Sequence, residues 1–153
     1  MDKLIMLLAT GFGLGRLPKA PGTWGTLLAF PLQGLILLAA LPPLSHALWL
    51  GGLFLLGVWA AGSAEKILDR ADPGQVVIDE VVGMLIALTA VPPTLRNWLA
   101  AFLLFRFFDI VKPFPIRFID RNCHGGLGIM LDDVMAGLYA LAVLHLLLRF
   151  LPF

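Results

Sequence analysis

The chain has 153 residues and a formal net charge of +1; 59% of its residues are hydrophobic and only 14% are charged. About a quarter of the residues in an ordinary soluble domain are charged, so this composition predicts an apolar surface that a bilayer solvates better than water does. The chain has no basic block of the kind that binds a nucleic-acid backbone, so we expect no nucleic-acid partner. The single cysteine, Cys123, excludes an internal disulfide.

Apolar runs along the chain predict an all-α fold. They lie at residues 26–41, 45–64, 81–91, 95–108 and 134–150. We expect a single domain, residues 1–153, forming an integral membrane bundle of about five apolar helices after a short N-terminal interfacial helix. Pro113 and Pro115 predict an extended loop after the fourth helix. A full span takes about 20 apolar residues, and run 81–91 is shorter, so a compact soluble bundle or one resting in a single leaflet is the alternative.

The charged residues gather on one side of this topology. If the five helices alternate in direction, the N-terminal region and the two long polar loops share one face, which then carries all ten acidic residues. The opposite face keeps only Arg96 and Arg149. Because a surplus of Lys and Arg marks the cytoplasmic side, we expect a multi-pass protein with its polar face in the cytoplasm.

Five carboxylates are predicted to meet at helix ends on this face. They are Asp79 and Glu80 at the start of the third helix, Asp109 at the end of the fourth, and Asp132 and Asp133 at the start of the fifth. Helix capping would explain one aspartate at a helix start, but two acid pairs carry more charge than capping needs. Hard carboxylate oxygens suit Mg²⁺, Mn²⁺ or Ca²⁺ rather than Zn²⁺. The sequence therefore favours a metal site on the two acid pairs over capping and ion pairs alone.

Basic and glycine-rich segments on the same face offer what a phosphate group needs. Backbone N–H groups of glycine loops approach anions closely, and a following helix N-terminus favours them. Segments 11–25 and 124–128 have this character. The candidate phosphate-binding residues are Arg106, Lys112, Arg16, Lys19, Thr23, Arg121, His124, Gly125 and Gly126. Arg106 is equally well the ion-pair partner of Asp109, and His124 is equally well a general acid or a loop donor.

At these residues the chain resembles the phosphatidylglycerophosphatase A family. The resemblance rests on four blocks in the family's order: GFGLG with PGTWGT in residues 11–26, IDEVVGM in 78–84, FRFFDIVKPFPI in 105–116 and IDRNCHGGLGIMLDDVMAG in 119–137. It covers nearly the whole chain. It implies Mg²⁺-dependent hydrolysis of phosphatidylglycerophosphate to phosphatidylglycerol and inorganic phosphate, at the cytoplasmic side of a bacterial inner membrane.

These observations combine into one mechanistic hypothesis. The five carboxylates are the catalytic residues: the two acid pairs hold one or two Mg²⁺, and Asp109 is a further ligand or the base that orients water. A covalent aspartyl-phosphate route is the alternative. The rival functions are another lipid-headgroup enzyme, such as a phosphatidyltransferase, and a non-enzyme, such as a small membrane transporter or ion-binding protein. The transferase's extended Asp-Gly…Ala-Arg pattern is absent, and a transporter would carry polar residues deep within its helices rather than at one edge.

Overall fold

The computed structural model describes residues 1–150, and within that range the chain is helical and contains no strand. The helices are α1 (Asp2–Ala9), α2 (Pro21–Leu38), α3 (Pro43–Leu68), α4 (Ile78–Ala87), α5 (Leu95–Val111), α6 (Ile116–Asn122) and α7 (Gly125–Phe150), with a 3₁₀ turn at Leu14–Arg16. The all-α prediction is confirmed. The five apolar runs correspond to α2, α3, α4, α5 and α7, and α1 is the short N-terminal helix.

Three of these helices, α2, α3 and α7, are long and apolar enough to cross a membrane. Large apolar side chains on the outside of the bundle have no protein cover: Leu48 and Leu55 of α3 are each 68% exposed, and Leu103 of α5 is 59% exposed. Water would oppose so large an apolar surface, whereas lipid chains solvate it. The protein is therefore an integral membrane helical bundle.

Helix α4 is short and enclosed by longer helices. Its 10 residues extend about 15 Å, half of the roughly 30 Å hydrocarbon core of a bilayer. It packs against α2, α3, α5 and α7, and Val82 and Leu85 are completely buried. Its first turn, with Asp79 and Glu80, is consequently held among the neighbouring helices, and both acids are partly buried. As predicted, these acids begin α4, and Asp109 lies in the last turn of α5.

Two glycines bring the backbones of α4 and α7 into direct contact. A Cβ atom on Gly137 would lie 2.3 Å from the carbonyl oxygen of Gly83, and one on Gly83 would lie 2.6 Å from the carbonyl oxygen of Asp133. Both distances are far below van der Waals contact, so any side chain here would push the helices apart. Gly83 lies one turn after Glu80, and Gly137 one turn after Asp133. This contact therefore sets the distance between the acidic turns of the two helices.

Helix α7 begins at Gly125, nine residues before the predicted run at 134–150. The prediction that Asp132 and Asp133 open this helix is wrong, since they lie about two turns inside it. Most of the glycine segment 124–128 is therefore part of α7 rather than a loop, because the helix begins at Gly125. A Cβ atom on Gly126 would lie 2.0 Å from the carbonyl oxygen of Val58 in α3. Close packing on α3 holds Gly126 in a helical conformation that glycine by itself disfavours.

The segment after α5 is not the extended loop that its prolines predict. Residues 113–115 form a turn, and α6 follows directly. Pro115 occupies the N-cap of α6, where its missing N–H group costs no helical hydrogen bond. Ile116 is completely buried and fixes α6 to the bundle. The chain therefore carries one short helix that the sequence did not predict, α6, which lies between the end of α5 and the start of α7.

Candidate active site

The polar ends of the helices surround a cavity of about 370 Å³, here called the active-site cavity. Its walls are Glu65, Ala71, Asp72, Gly74, Val76, Asp79, Glu80, Asp109, Lys112, Asp120, Cys123, His124, Gly125, Gly128, Ile129, Asp132 and Asp133. All five predicted catalytic carboxylates are in this set, although they come from α4, α5 and α7. Segments that are far apart in the chain thus bring their acids to one site.

Asp79, Glu80 and Asp133 form the tightest group of carboxylates. One oxygen atom of each lies within 4.8 Å of the other two. Buried Oδ1 of Asp79 and buried Oε2 of Glu80 have no hydrogen-bond partner among residues 1–150. Buried oxygens without partners are uncommon because leaving them unpaired is costly. Three oxygen donors at this spacing, two with free lone pairs, fit a hard divalent cation.

Asp132 has a different partner from its neighbour Asp133. Its Oδ2 atom lies 2.6 Å from Nζ of Lys112, which also donates to Asp120 at 2.5 Å. Successive residues on a helix point about 100° apart, so the two aspartates of α7 face different groups. Burial by itself would lower the pKa of Lys112, but its hydrogen bonds to the two carboxylates outweigh burial and raise the pKa above the ordinary value. Lys112 is therefore a fixed positive charge on the wall of the cavity.

Arg106 holds Asp109 from behind the cavity wall. Nη1 of Arg106 lies 2.7 Å from Oδ2 of Asp109 and also donates to Oγ1 of Thr26 at 3.5 Å. The Thr26 hydroxyl donates to the Gly22 carbonyl oxygen at 2.8 Å, and Gly22 lies directly against Glu80 and Arg106. Of the two predicted roles for Arg106, the structure shows the ion pair with Asp109. These contacts attach the start of α2 to the site.

The predicted phosphate-binding residues divide by position. Lys112, His124 and Gly125 line the cavity. Those outside its lining are Arg16, Lys19, Thr23, Arg106, Arg121 and Gly126. Arg16 and Lys19 are exposed in the segment before α2, and Gly126 is buried against α3. The structure thus gathers the predicted acids more completely than the predicted anion-binding groups.

Three acids on the cavity wall escaped the sequence reasoning: Glu65, Asp72 and Asp120. Oε1 of Glu65 accepts a hydrogen bond from the backbone N–H of Asp72 at 3.1 Å, which closes the loop after α3. All three come from polar segments that the topology predicts to lie on the same face as the other acids. Their position on that face is the one feature of the sequence that could have pointed to them, because acidic residues in exposed loops are common and do not by themselves indicate a site.

Comparison with known proteins decides the family. The model of the phosphatidylglycerophosphatase A family matches residues 7–148. The chain belongs to the phosphatidylglycerophosphatase A family. Its resemblance to that family, seen in the four sequence blocks, is thereby confirmed. No solved structure matches the chain.

Curated relatives agree with this family. The chain is 47% identical to phosphatidylglycerophosphatase A of Haemophilus influenzae over 140 residues, which are 91% of this chain and 85% of the relative. It is 42% identical to phosphatidylglycerophosphatase A of Escherichia coli over 140 residues, 91% of this chain and 80% of the relative. A putative phosphatidylinositol-3-phosphatase of Bacteroides thetaiotaomicron is 46% identical over 145 residues, 90% and 89% of the two chains. The protein is therefore a phosphatase, a phosphoric monoester hydrolase, rather than a transferase or transporter.

Proposed function

We propose that the protein removes the terminal phosphate of phosphatidylglycerophosphate in a Mg²⁺-dependent reaction, giving phosphatidylglycerol and inorganic phosphate. The family and two of its named relatives support this substrate. The name of the Bacteroides relative likewise refers to a phosphomonoester on a phospholipid headgroup. The observation that carries the chemistry is the group of Asp79, Glu80 and Asp133, with its unpartnered buried oxygens.

Asp79, Glu80 and Asp133 are the residues that would hold Mg²⁺. When bound, the ion supplies positive charge against the phosphoryl oxygens and makes water a better nucleophile. The sequence predicts four metal ligands, Asp132 among them. We do not assign Asp132 to the metal, because its carboxylate pairs with Lys112. Asp132 instead becomes the residue that positions the lysine.

The remaining groups of the cavity bind and orient. The Lys112 ammonium uses two of its three N–H groups on Asp120 and Asp132 and has one left for a phosphoryl oxygen, where it stabilises developing negative charge. Asp109, oriented by Arg106, orients the attacking water and accepts its proton. His124, at the exposed edge of the cavity, donates a proton to the departing glycerol oxygen.

We further propose that the site works at the cytoplasmic face of a bacterial inner membrane. Two observations support this orientation: the surplus of basic residues at the helix ends that carry the cavity, and the bacterial origin of the relatives. The acyl chains of the substrate would remain in the bilayer. Only the headgroup then needs to reach the cavity from the side.

A panel of phosphomonoesters tests the substrate. We expect phosphate release from phosphatidylglycerophosphate in detergent micelles with Mg²⁺ to exceed release from phosphatidic acid and from soluble glycerol 3-phosphate by at least about tenfold in kcat/KM. Phosphatidylinositol 3-phosphate is the most informative alternative substrate. Faster phosphate release from it would mean that the Bacteroides relative is the better guide to the substrate of this chain. Chelation of Mg²⁺ should stop turnover on every substrate. Equal rates on glycerol 3-phosphate, or full activity after chelation, would contradict the proposal.

A further inference from the structure

A second cavity, of about 470 Å³, lies between the end of α5 and α6. We call it the α6 cavity. Lys112, Arg117, Arg121 and Asn122 supply its polar side chains, and Phe114 and Phe118 supply much of its apolar wall. None of its lining residues in the described part of the chain is acidic, whereas carboxylates dominate the active-site cavity. The two cavities are therefore electrostatically opposite.

The two arginines are arranged to receive an anion. Arg117 and Arg121 lie four residues apart and so share one face of α6. Nη2 of Arg117 donates to the carbonyl oxygen of Val111 at 3.2 Å, which holds this side chain across the cavity while leaving its other N–H groups free. Arg121 has no ion pair or side-chain hydrogen bond within residues 1–150. Guanidinium groups of this kind bind phosphate oxygens with two parallel hydrogen bonds.

The apolar wall of the α6 cavity is strongly exposed. Phe114 is 81% exposed, Phe118 60% and nearby Ile110 70%. Exposed aromatic side chains next to arginines are typical of the boundary between lipid and water. An anion bound there would be attached to something partly apolar, as the phosphate of a phospholipid is.

We propose that the α6 cavity binds the phosphodiester group of the substrate while the active-site cavity holds its terminal phosphomonoester. The proposal rests on the function proposed above. Lys112 lines both cavities, so two phosphates joined by the three carbons of one glycerol lie on either side of it. This shared wall favours the substrate's own phosphodiester over a separate bilayer lipid. Arg117 and Arg121 then select phospholipid monoesters over soluble ones.

Binding of a phosphodiester without a terminal phosphate tests this assignment. Dibutyryl phosphatidylglycerol is such a ligand, and its dissociation constant can be measured by titration calorimetry on the full chain in micelles. We expect the double variant Arg117→Gln/Arg121→Gln to weaken its binding about tenfold or more, the loss of two charge-assisted hydrogen bonds. The KM for phosphatidylglycerophosphate should rise by a similar factor, while kcat and inhibition by inorganic phosphate stay unchanged.

The control variant is Lys66→Gln/Arg70→Gln, which removes two exposed positive charges from the segment at the end of α3. It should bind dibutyryl phosphatidylglycerol as the wild type does. Equal weakening in both variants, or unchanged binding in Arg117→Gln/Arg121→Gln, would overturn the phosphodiester assignment, as would a matching loss of phosphate inhibition. Arginine-dependent binding by a wild type that does not hydrolyse phosphatidylglycerophosphate would instead overturn the proposed function and leave the α6 cavity as a phosphodiester site.

Discussion

Asp79→Asn and Asp133→Asn are each expected to lower kcat by about 10³-fold or more while the protein remains folded. An amide presents one oxygen and no negative charge, so the cation loses much of its attraction to the site. Loss of about 4 kcal/mol of transition-state stabilisation corresponds to this factor. Phosphate release in micelles with saturating Mg²⁺ measures it, and circular dichroism checks that the helices persist.

Stability provides an independent readout for the same variants. Asp133 is only 3% exposed and shares its surroundings with Asp79 and Glu80, so without metal these acids repel one another. Neutralising one of them should raise the unfolding temperature in the presence of a chelator, even though activity is lost. Asp69→Asn is the matched control: Asp69 is exposed, lies outside the cavity, and has a positive φ of 47° that asparagine tolerates. Full turnover in both Asp79→Asn and Asp133→Asn would remove the proposed metal site.

Lys112→Met is expected to lower kcat/KM about 100-fold and to destabilise the fold. Methionine keeps most of the apolar stem but removes the charge that binds Asp132, whose side chain is only 12% exposed. An unpaired carboxylate then remains beside Asp133. One lost charge-assisted contact to the transition state accounts for about 10²-fold. Lys66→Met, at an exposed position in α3, should behave as the wild type does.

The double variant Lys112→Met/Asp132→Asn separates the two roles of the lysine. Removing the Asp132 carboxylate as well eliminates the buried unpaired charge, while Asp120, whose side chain is 36% exposed, remains solvated. Most of the stability should therefore recover, while activity does not. Because the pKa of Lys112 is raised in the folded protein, its ion pairs contribute stability at pH values below about 10.4, the ordinary value for lysine, as long as Asp120 and Asp132 are ionised. That contribution is lost as the pH rises through the higher folded-state value. Wild-type stability in Lys112→Met, or no recovery in the double variant, would contradict the pairing.

The sequence predicted the helices and the meeting of the acids for a clear physical reason. Long apolar runs interrupted by proline pairs have few structures open to them other than antiparallel helices. Alternation then forces Asp79, Asp109 and Asp132 to the same end of the bundle. The phosphatidylglycerophosphate substrate came only from family resemblance, since composition and spacing carry no information about it.

The sequence failed where packing between distant segments decides the structure. Gly125, Gly126 and Gly128 are poor helix formers, so the sequence predicts that the last helix begins after them. Contact of Gly126 with Val58 makes that segment helical and moves Asp132 and Asp133 into the body of the helix. There the two aspartates diverge, one toward Lys112 and the other toward Glu80. No pattern along the chain distinguishes these partners.

Mn²⁺ electron paramagnetic resonance tests most directly whether Asp79, Glu80 and Asp133 hold a divalent cation. The account predicts saturable Mn²⁺ binding by the wild type in micelles, displaced by Mg²⁺ and lost in Asp133→Asn. Asp69→Asn should retain Mn²⁺ binding. Asp132→Asn should retain it as well, because the Asp132 carboxylate pairs with Lys112 rather than with the cation. Absence of bound Mn²⁺ in the wild type, or undiminished binding in Asp133→Asn, would contradict the account.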